Sequence, residues 1–226
     1  MQLRKRLVQM DTSWAHEPAA QFAREIIQMQ ILSPIIRHYT APLVMGRDVF
    51  DSIKPPVVFV ANHSSHLDTP SILMSMPKPW RHRTAAVAAA DYFFTNRLFA
   101  SFVSLVFAAV PIERGGGVTK KTTARLDRMA EKGWNLIWYP EGTRSRSGRM
   151  NRMRSGAAYF AAEHGIPIVP VFLHGNHDAM PVGRWWPRKH PVTVHFGEAL
   201  IPRPGESHRS LIERVGASLN ELRLSL

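Results

Sequence analysis

The feature that most constrains this chain is a set of short, almost wholly apolar segments that recur between helix-like stretches. Val57–Ala61, Ala108–Ile112 and Ile166–Leu173 carry no charged side chain, and Thr84–Ala89, Trp134–Tyr139 and Val192–Phe196 come close to the same pattern. A strand with one face in water alternates apolar and polar residues, whereas one that is apolar throughout is buried on both faces. Between these segments lie helical patterns at Pro70–Met76, Tyr92–Val106, Thr119–Lys132, Gly156–His164 (closed by Gly165) and Glu206–Leu224. The alternation predicts an α/β fold, with a mainly parallel central sheet and helices on both faces. Residues 1–45 are predicted to be an N-terminal helical segment, and residues 46–226 the α/β domain. Sheets of this kind bind ligands at the carboxyl ends of their strands.

A chain of 226 residues is enough for one such domain. It has no cysteine, which excludes disulfides, thiolate metal sites and a cysteine acyl-enzyme. Lys and Arg number 29 against 17 Asp and Glu, a balance suited to an anionic partner such as a lipid surface or a nucleic acid. Arg4, Lys5 and Arg6 are followed by Asp11, His16 and Glu17, which interrupt any signal-peptide core. The longest uncharged apolar run, Leu98–Ile112, has 15 residues, short of the ~20 that span a bilayer. It reads as a buried helix end followed by a core strand. Over residues 18–40, Ala19, Phe22, Ile26, Ile27, Met29, Ile31 and Ile35 form one face, and Arg24, Glu25 and Arg37 the other. That helix either packs on the core or lies in a membrane interface. Arg184-Trp-Trp-Pro-Arg-Lys189 combines interfacial and cationic residues, and fits a membrane contact or a packed loop. No nucleic-acid fold signature accompanies it, so no nucleic-acid partner is expected. The expected location is the cytoplasm, peripherally on the inner face of the membrane.

Two strand ends carry chemistry. After Val57–Ala61 come His63 and Asp68, four residues between them, then Thr69-Pro70 opening a helix. A carboxylate on that turn can hold the imidazole in one tautomer, so that the other nitrogen takes a proton from a hydroxyl. The structural alternative for Asp68 is a helix N-cap. The second strand end reads Tyr139-Pro-Glu-Gly-Thr-Arg-Ser145. There Arg144 offers a fork of donors for phosphate, and Gly142 lets the backbone approach a ligand. A plain turn with Glu141 paired to an arginine is the competing reading. His66 and the His174–Asp178 cluster leave a metal-dependent hydrolase open, although their spacing matches no common metallohydrolase pattern. No Gly-x-Ser-x-Gly is present, and Gly115–Lys121 lacks the Gly-Lys-Ser/Thr ending of a phosphate loop. No metal is expected.

Asn62-His63-Ser64-Ser65-His66-Leu67-Asp68 resembles the His-x4-Asp motif of the glycerolipid acyltransferases, and Tyr139–Ser145 resembles their Phe-Pro-Glu-Gly-Thr-Arg-Ser motif. Val110-Pro-Ile-Glu-Arg114 and Ile168-Val-Pro-Val171 fall where that family has its second and fourth blocks. The ordered set most resembles the 1-acylglycerol-3-phosphate acyltransferases. The resemblance implies catalysis by His63 and Asp68, and glycerol-phosphate binding by Arg114, Glu141, Gly142 and, in addition, Arg144. It implies no cofactor beyond an acyl-CoA or acyl carrier protein co-substrate. It also implies a lipid acceptor at an anionic membrane surface, with phosphatidic acid as product. Glycerol-3-phosphate or another lysolipid is the alternative acceptor; a hydrolase and a noncatalytic basic module are alternatives of other classes. The chain departs from the pattern at Ala108–Arg114, in Tyr139 for Phe, and in Arg154-Ser-Gly156 where relatives have Lys-x-Gly.

Overall fold

The computed structural model describes residues 11–90, 96–112 and 120–226. Arg114, the start of the Tyr92–Val106 helix and most of the Gly115–Lys121 loop therefore lie outside the described residues. The strands are β1 (Leu43–Met45), β2 (Val58–Ala61), β3 (Thr84–Ala89), β4 (Val110–Ile112), β5 (Asn135–Trp138), β6 (Ile168–His174) and β7 (Thr193–Phe196). The helices are α1 (Pro18–Ile27), α2 (Ser33–Thr40), α3 (Val49–Ser52), α4 (Asp68–Ser75), α5 (Lys78–His82), α6 (Arg97–Phe107), α7 (Lys120–Glu131), α8 (Gly156–His164), α9 (Asn176–Ala179) and α10 (His208–Leu224).

The seven strands form one sheet in the order β1-β7-β6-β2-β5-β3-β4. Every neighbouring pair is parallel except β6 and β7. The apolar strands occupy the middle, where both faces are covered: all of β2 is buried. On one face they meet Leu126 and Met129 of α7, Phe160 of α8 and Leu211, Val215 and Leu219 of α10. On the other they meet Ile36 of α2, Phe50 of α3, Ile72 and Leu73 of α4 and Trp80 of α5. Each such large side chain contributes about 1.5–3 kcal/mol by leaving water. Pro170 sits within the central strand β6 without breaking the sheet. Its carbonyl accepts from Gly197 just past the end of β7, so its missing N–H also faces that side and not β2.

The N-terminal segment is helical, with a wide π turn over Gln28–Leu32 joining α1 to α2. Its facing corrects the sequence reading. Arg24, placed above on the polar outer side, is buried at 2% exposure, whereas Phe22 stands 68% exposed and Ile26, Met29 and Ile31 are also outward. The cause is the carboxyl end of α6, whose last carbonyls have no partner within their own helix. Arg24 Nε donates to Leu105 C=O at 2.6 Å, and Gln28 Nε2 to Val106 C=O at 2.8 Å. Arg24 also donates to Ala15 C=O. A cation suits the negative end of a helix dipole, and burial pushes this guanidinium down to about 10. The Leu98–Ile112 run is corrected in part: Ala100, Val103 and Val106 are buried, but Leu98 is 83% exposed, and Phe99 and Phe102 are exposed beside it. No helix among the described residues is long and apolar enough to cross a membrane.

Candidate active site

β2 ends at Ala61, and Asn62 continues the sheet with its side chain. Its Oδ1 accepts from Leu173 N–H at 2.8 Å, and its Nδ2 donates to Leu173 C=O at 2.9 Å. The next residue, His63, is gripped from the β5 side. Its N–H donates to Glu141 Oε1 at 2.7 Å, and its C=O accepts from Ser145 N–H at 2.7 Å. The two strand ends singled out in the sequence thus meet at the carboxyl edge of the sheet, and one holds the other by its backbone.

Asp68 is fully buried. Its Oδ2 lies 2.8 Å from His63 Nδ1 and accepts from the N–H groups of Ser64 at 2.7 Å and Ser65 at 2.9 Å. Its Oδ1 accepts from Asn176 Nδ2 at 2.8 Å. Asp68 opens α4 but is not its N-cap: the backbone N–H groups it accepts from belong to Ser64 and Ser65 before it, and the N-cap position belongs to Leu67. With four donors around it, the carboxylate has one orientation, and that orientation holds the imidazole by Nδ1. Nε2 is then the nitrogen left for proton transfer, on a side chain 19% exposed. The Tyr139 ring stacks on the imidazole, centroids 4.0 Å apart and 17° between planes. Its hydroxyl pairs with Thr69 Oγ1 at 2.8 Å, a tie that Phe at this position would lack. Burial and the charge of Asp68 push that phenol well up, so it stays protonated.

Glu141 is buried, and burial pushes its carboxyl up, against the pull of two backbone donors. Those donors are His63 N–H and Asn151 N–H, the latter 2.8 Å from Oε2. Both oxygens thus accept from the protein itself. Gly142 has φ +71°, a conformation that suits glycine, and a Cβ there would touch the Arg154 guanidinium at 3.6 Å. Arg144 is half-buried, and its charge, second to burial, helps hold the His66 imidazole down at about 4. His66 is therefore uncharged near neutrality. His63 on the same turn pairs with the Asp68 carboxylate. His177 sits under the loop after Ser145, where a Cβ on Gly148 would meet its ring at 3.1 Å. Among the described residues no group of three or more His, Asp or Glu is arranged to hold a metal ion.

The sequence reading missed Asn62, Ser145 and Asn176 as parts of this site. Asn62 and Ser145 lay inside the quoted motifs, where their place next to a strand end and an arginine was the available signal. Asn176 follows Gly175, whose φ is +82° and whose Cβ would fall 2.3 Å from Pro191 C=O. Only glycine fits there, and the turn it allows carries Asn176 to Asp68.

A parallel sheet with an imidazole–carboxylate pair at the end of β2, clamped by the turn after β5, defines the class. The family model described as Acyltransferase matches residues 40–174, more than half of the chain, and the chain belongs to that family. It is 28% identical over 141 residues to a chloroplastic 1-acyl-sn-glycerol-3-phosphate acyltransferase of Brassica napus, covering 62% of this chain and 39% of that protein. It is 30% identical over 168 residues to a 1-acyl-sn-glycerol-3-phosphate acyltransferase of Chlamydomonas reinhardtii, covering 72% and 49%. The chain thus spans half or less of the length of these relatives. The crystal structure of the 1-acyl-sn-glycerophosphate acyltransferase PlsC from Thermotoga maritima has the same fold, with TM-score 0.69 and 19% identity over 95% of this chain and 82% of that one.

Proposed function

We propose that the protein transfers a fatty acyl group from a thioester to the free hydroxyl of 1-acylglycerol-3-phosphate, giving phosphatidic acid. The observation that carries this reading is the His63–Asp68 pair, with Nδ1 engaged at 2.8 Å and the backbone of His63 fixed on both sides. Nε2 accepts the proton of the acceptor hydroxyl as its oxygen attacks the thioester carbonyl carbon. The tetrahedral intermediate collapses with loss of the thiolate, which takes that proton back from the imidazolium. Asp68 stabilises the imidazolium in between. No covalent acyl-enzyme is required.

The acceptor phosphate is assigned to Arg144, with Gly142 two residues before it in the same turn, and to Arg114. Glu141 serves the same site indirectly, through the turn and the His63 backbone that it holds. Glycerol-3-phosphate or another lysolipid remains the alternative acceptor in this class. The outward apolar side chains of α1 and α6, the exposed Trp185 and Trp186 and the basic excess support peripheral contact with an anionic membrane, where such an acceptor resides. The donor is an acyl-CoA or an acyl carrier protein, and no metal takes part.

The test is purified protein incubated with acyl-CoA or acyl carrier protein and either lysophosphatidate or glycerol-3-phosphate, with the lipid product identified by mass spectrometry, in the presence and absence of chelator. Phosphatidic acid from lysophosphatidate, insensitive to chelator and lost in His63→Ala, is the expected result. Free fatty acid as the sole product, or activity abolished by chelation, would move the chain to the hydrolase reading.

A further inference from the structure

The loop between β5 and α8 carries Arg144, Arg146, Arg149, Arg152 and Arg154, and its one acidic residue is Glu141. It crosses the carboxyl edge of the sheet. At Gly148 it lies on His177 of α9; from Met150 to Ser155 it lies against α10, which packs on the opposite face. Between that second part and α10 runs an open groove of about 1260 Å³, with Glu141 in its wall. The other side of Glu141 holds the His63 N–H, so the groove begins one side chain away from the backbone of His63.

The charges of the groove do not cancel. On α10 Arg209 pairs with Glu213, and Arg214 with Glu206. The carboxylate of Glu141 is taken up by two backbone N–H groups. Arg152 and Arg154 remain exposed, and among the described residues neither has a carboxylate within ion-pair distance. An acyl chain would want a closed apolar sleeve. This groove is open and mixes Met150 and Met153 with asparagines and arginines, which suits a flexible polar arm ending in phosphate. A lipid head group is disfavoured, because the large apolar side chains that stand outward, such as Phe22 and Ile26 of α1 and Leu98 of α6, are not among the residues that line the groove. The loop ties the groove to the turn that holds His63: Arg152 is two residues from Arg154, whose N–H is bonded to Pro140 C=O, and the next residue, Glu141, accepts from His63 N–H. Two residues span at most about 7 Å, so Arg152 stands close to that turn.

We infer that this groove seats the phosphopantetheine arm of the acyl donor, with Arg152 on its phosphate. The inference rests on the acyl-transfer reading above and gives the donor a place, with Arg152 lying between the Tyr139–Ser145 and Arg154–Gly156 motifs. Two variants test it. Arg152→Glu reverses the charge. Gly216→Phe fills the groove from α10, where a Cβ meets only Met153 Sδ at an ordinary 3.7 Å, and an unchanged circular dichroism spectrum checks that the variant folds. Binding of coenzyme A is measured by calorimetry, and donor and acceptor KM are measured with acyl-CoA and with acyl carrier protein of one chain length.

Both variants should weaken coenzyme A binding and raise the KM of both donors at least tenfold, with the acceptor KM within twofold. Wild-type affinity for coenzyme A in both variants overturns the inference, as does failure of the wild type to bind it. An effect confined to acyl-CoA overturns it too, since the groove would then hold the nucleotide end. Loss of anionic-vesicle binding with unchanged donor KM would make Arg152 a lipid contact instead. Wild-type protein that binds coenzyme A in the groove yet acylates no glycerol-phosphate acceptor would sink the proposed reaction and leave the groove standing.

Discussion

Around His63 the buried groups are polar: Asn62, Asp68 and Glu141 each meet named donors or acceptors on other segments. Along α1 and α6 polar groups are buried as well, with Arg24 and Gln28 inside, but Phe22, Ile26, Leu98 and Phe102 stand outside. Both regions bury polar side chains for the same reason, to satisfy backbone groups that would otherwise lack partners. They differ in what that leaves on the surface. At the sheet edge it leaves a fixed imidazole. On the helix pair it leaves an apolar face that an aqueous surface does not explain.

The comparison breaks first if His63 is not the base. His63→Ala should lower kcat about 10²–10⁴-fold with an unchanged circular dichroism spectrum. Activity retained there and lost in His66→Ala would reverse the assignment of the two histidines. The next largest effect belongs to the helix pair. Arg24→Met strands the Leu105 and Ala15 carbonyls, and should cost about 1–3 kcal/mol in denaturant unfolding. A neutral result would mean that the N-terminal segment docks by shape alone.

Asn176→Leu removes one hydrogen bond to a charged carboxylate, worth about 1.5 kcal/mol, or roughly tenfold in kcat. It should leave both KM values alone. Because the change also leaves the buried Asp68 Oδ1 without that donor, a stability loss of about 1–3 kcal/mol should accompany it, and kcat is measured where the variant is fully folded. A matching rise in acceptor KM would make Asn176 part of the binding surface and not a support for Asp68. Phe22→Ser should change stability by no more than about 0.5 kcal/mol, yet lower co-sedimentation with anionic vesicles. Unchanged vesicle binding would free the apolar face from any lipid role.

The smallest effect is on pH. Burial, with help from nearby Arg125 and Arg24, holds the His16 imidazole down at about 4, against 6.5 when exposed. The unfolded chain therefore takes up the proton first on acidification. His16 contributes stability that is complete above about pH 6.5 and is lost as pH falls toward 4. Its Nε2 bonds Ala108 C=O at 3.1 Å, so His16→Gln should flatten the melting temperature across that window. An unchanged slope would assign the acid sensitivity elsewhere.

What the sequence made legible follows the same division. Strands that are apolar throughout, such as β2 and β6, fell within a residue or two of their predicted places, because burial on both faces leaves a signature that needs no knowledge of neighbours. The strand β1 was missed: it has three residues, sits at the sheet edge, and none of them is fully buried. The facing of α1 was misread because periodicity tells which residues share a side, not which side meets a partner. The partner here is a helix end 81 residues away in sequence. His63 and Asp68 were legible because their contact is local. Asn176, 108 residues from Asp68, was not.

The edge strand has a consequence for how the protein is made. Leu43 pairs with Thr193, and just before it the carbonyls of Tyr39 and Thr40 accept from His190 and Val192. A ribosome adding about 5–20 residues per second takes roughly 8–30 s to travel that distance. For that interval β1 and the end of α2 have no lateral partner. The end of α2 and β1 are thus locked long after α1 has met α6, and a nascent chain truncated before residue 190 should remain sensitive to protease at residues 39–45 while the full-length chain does not.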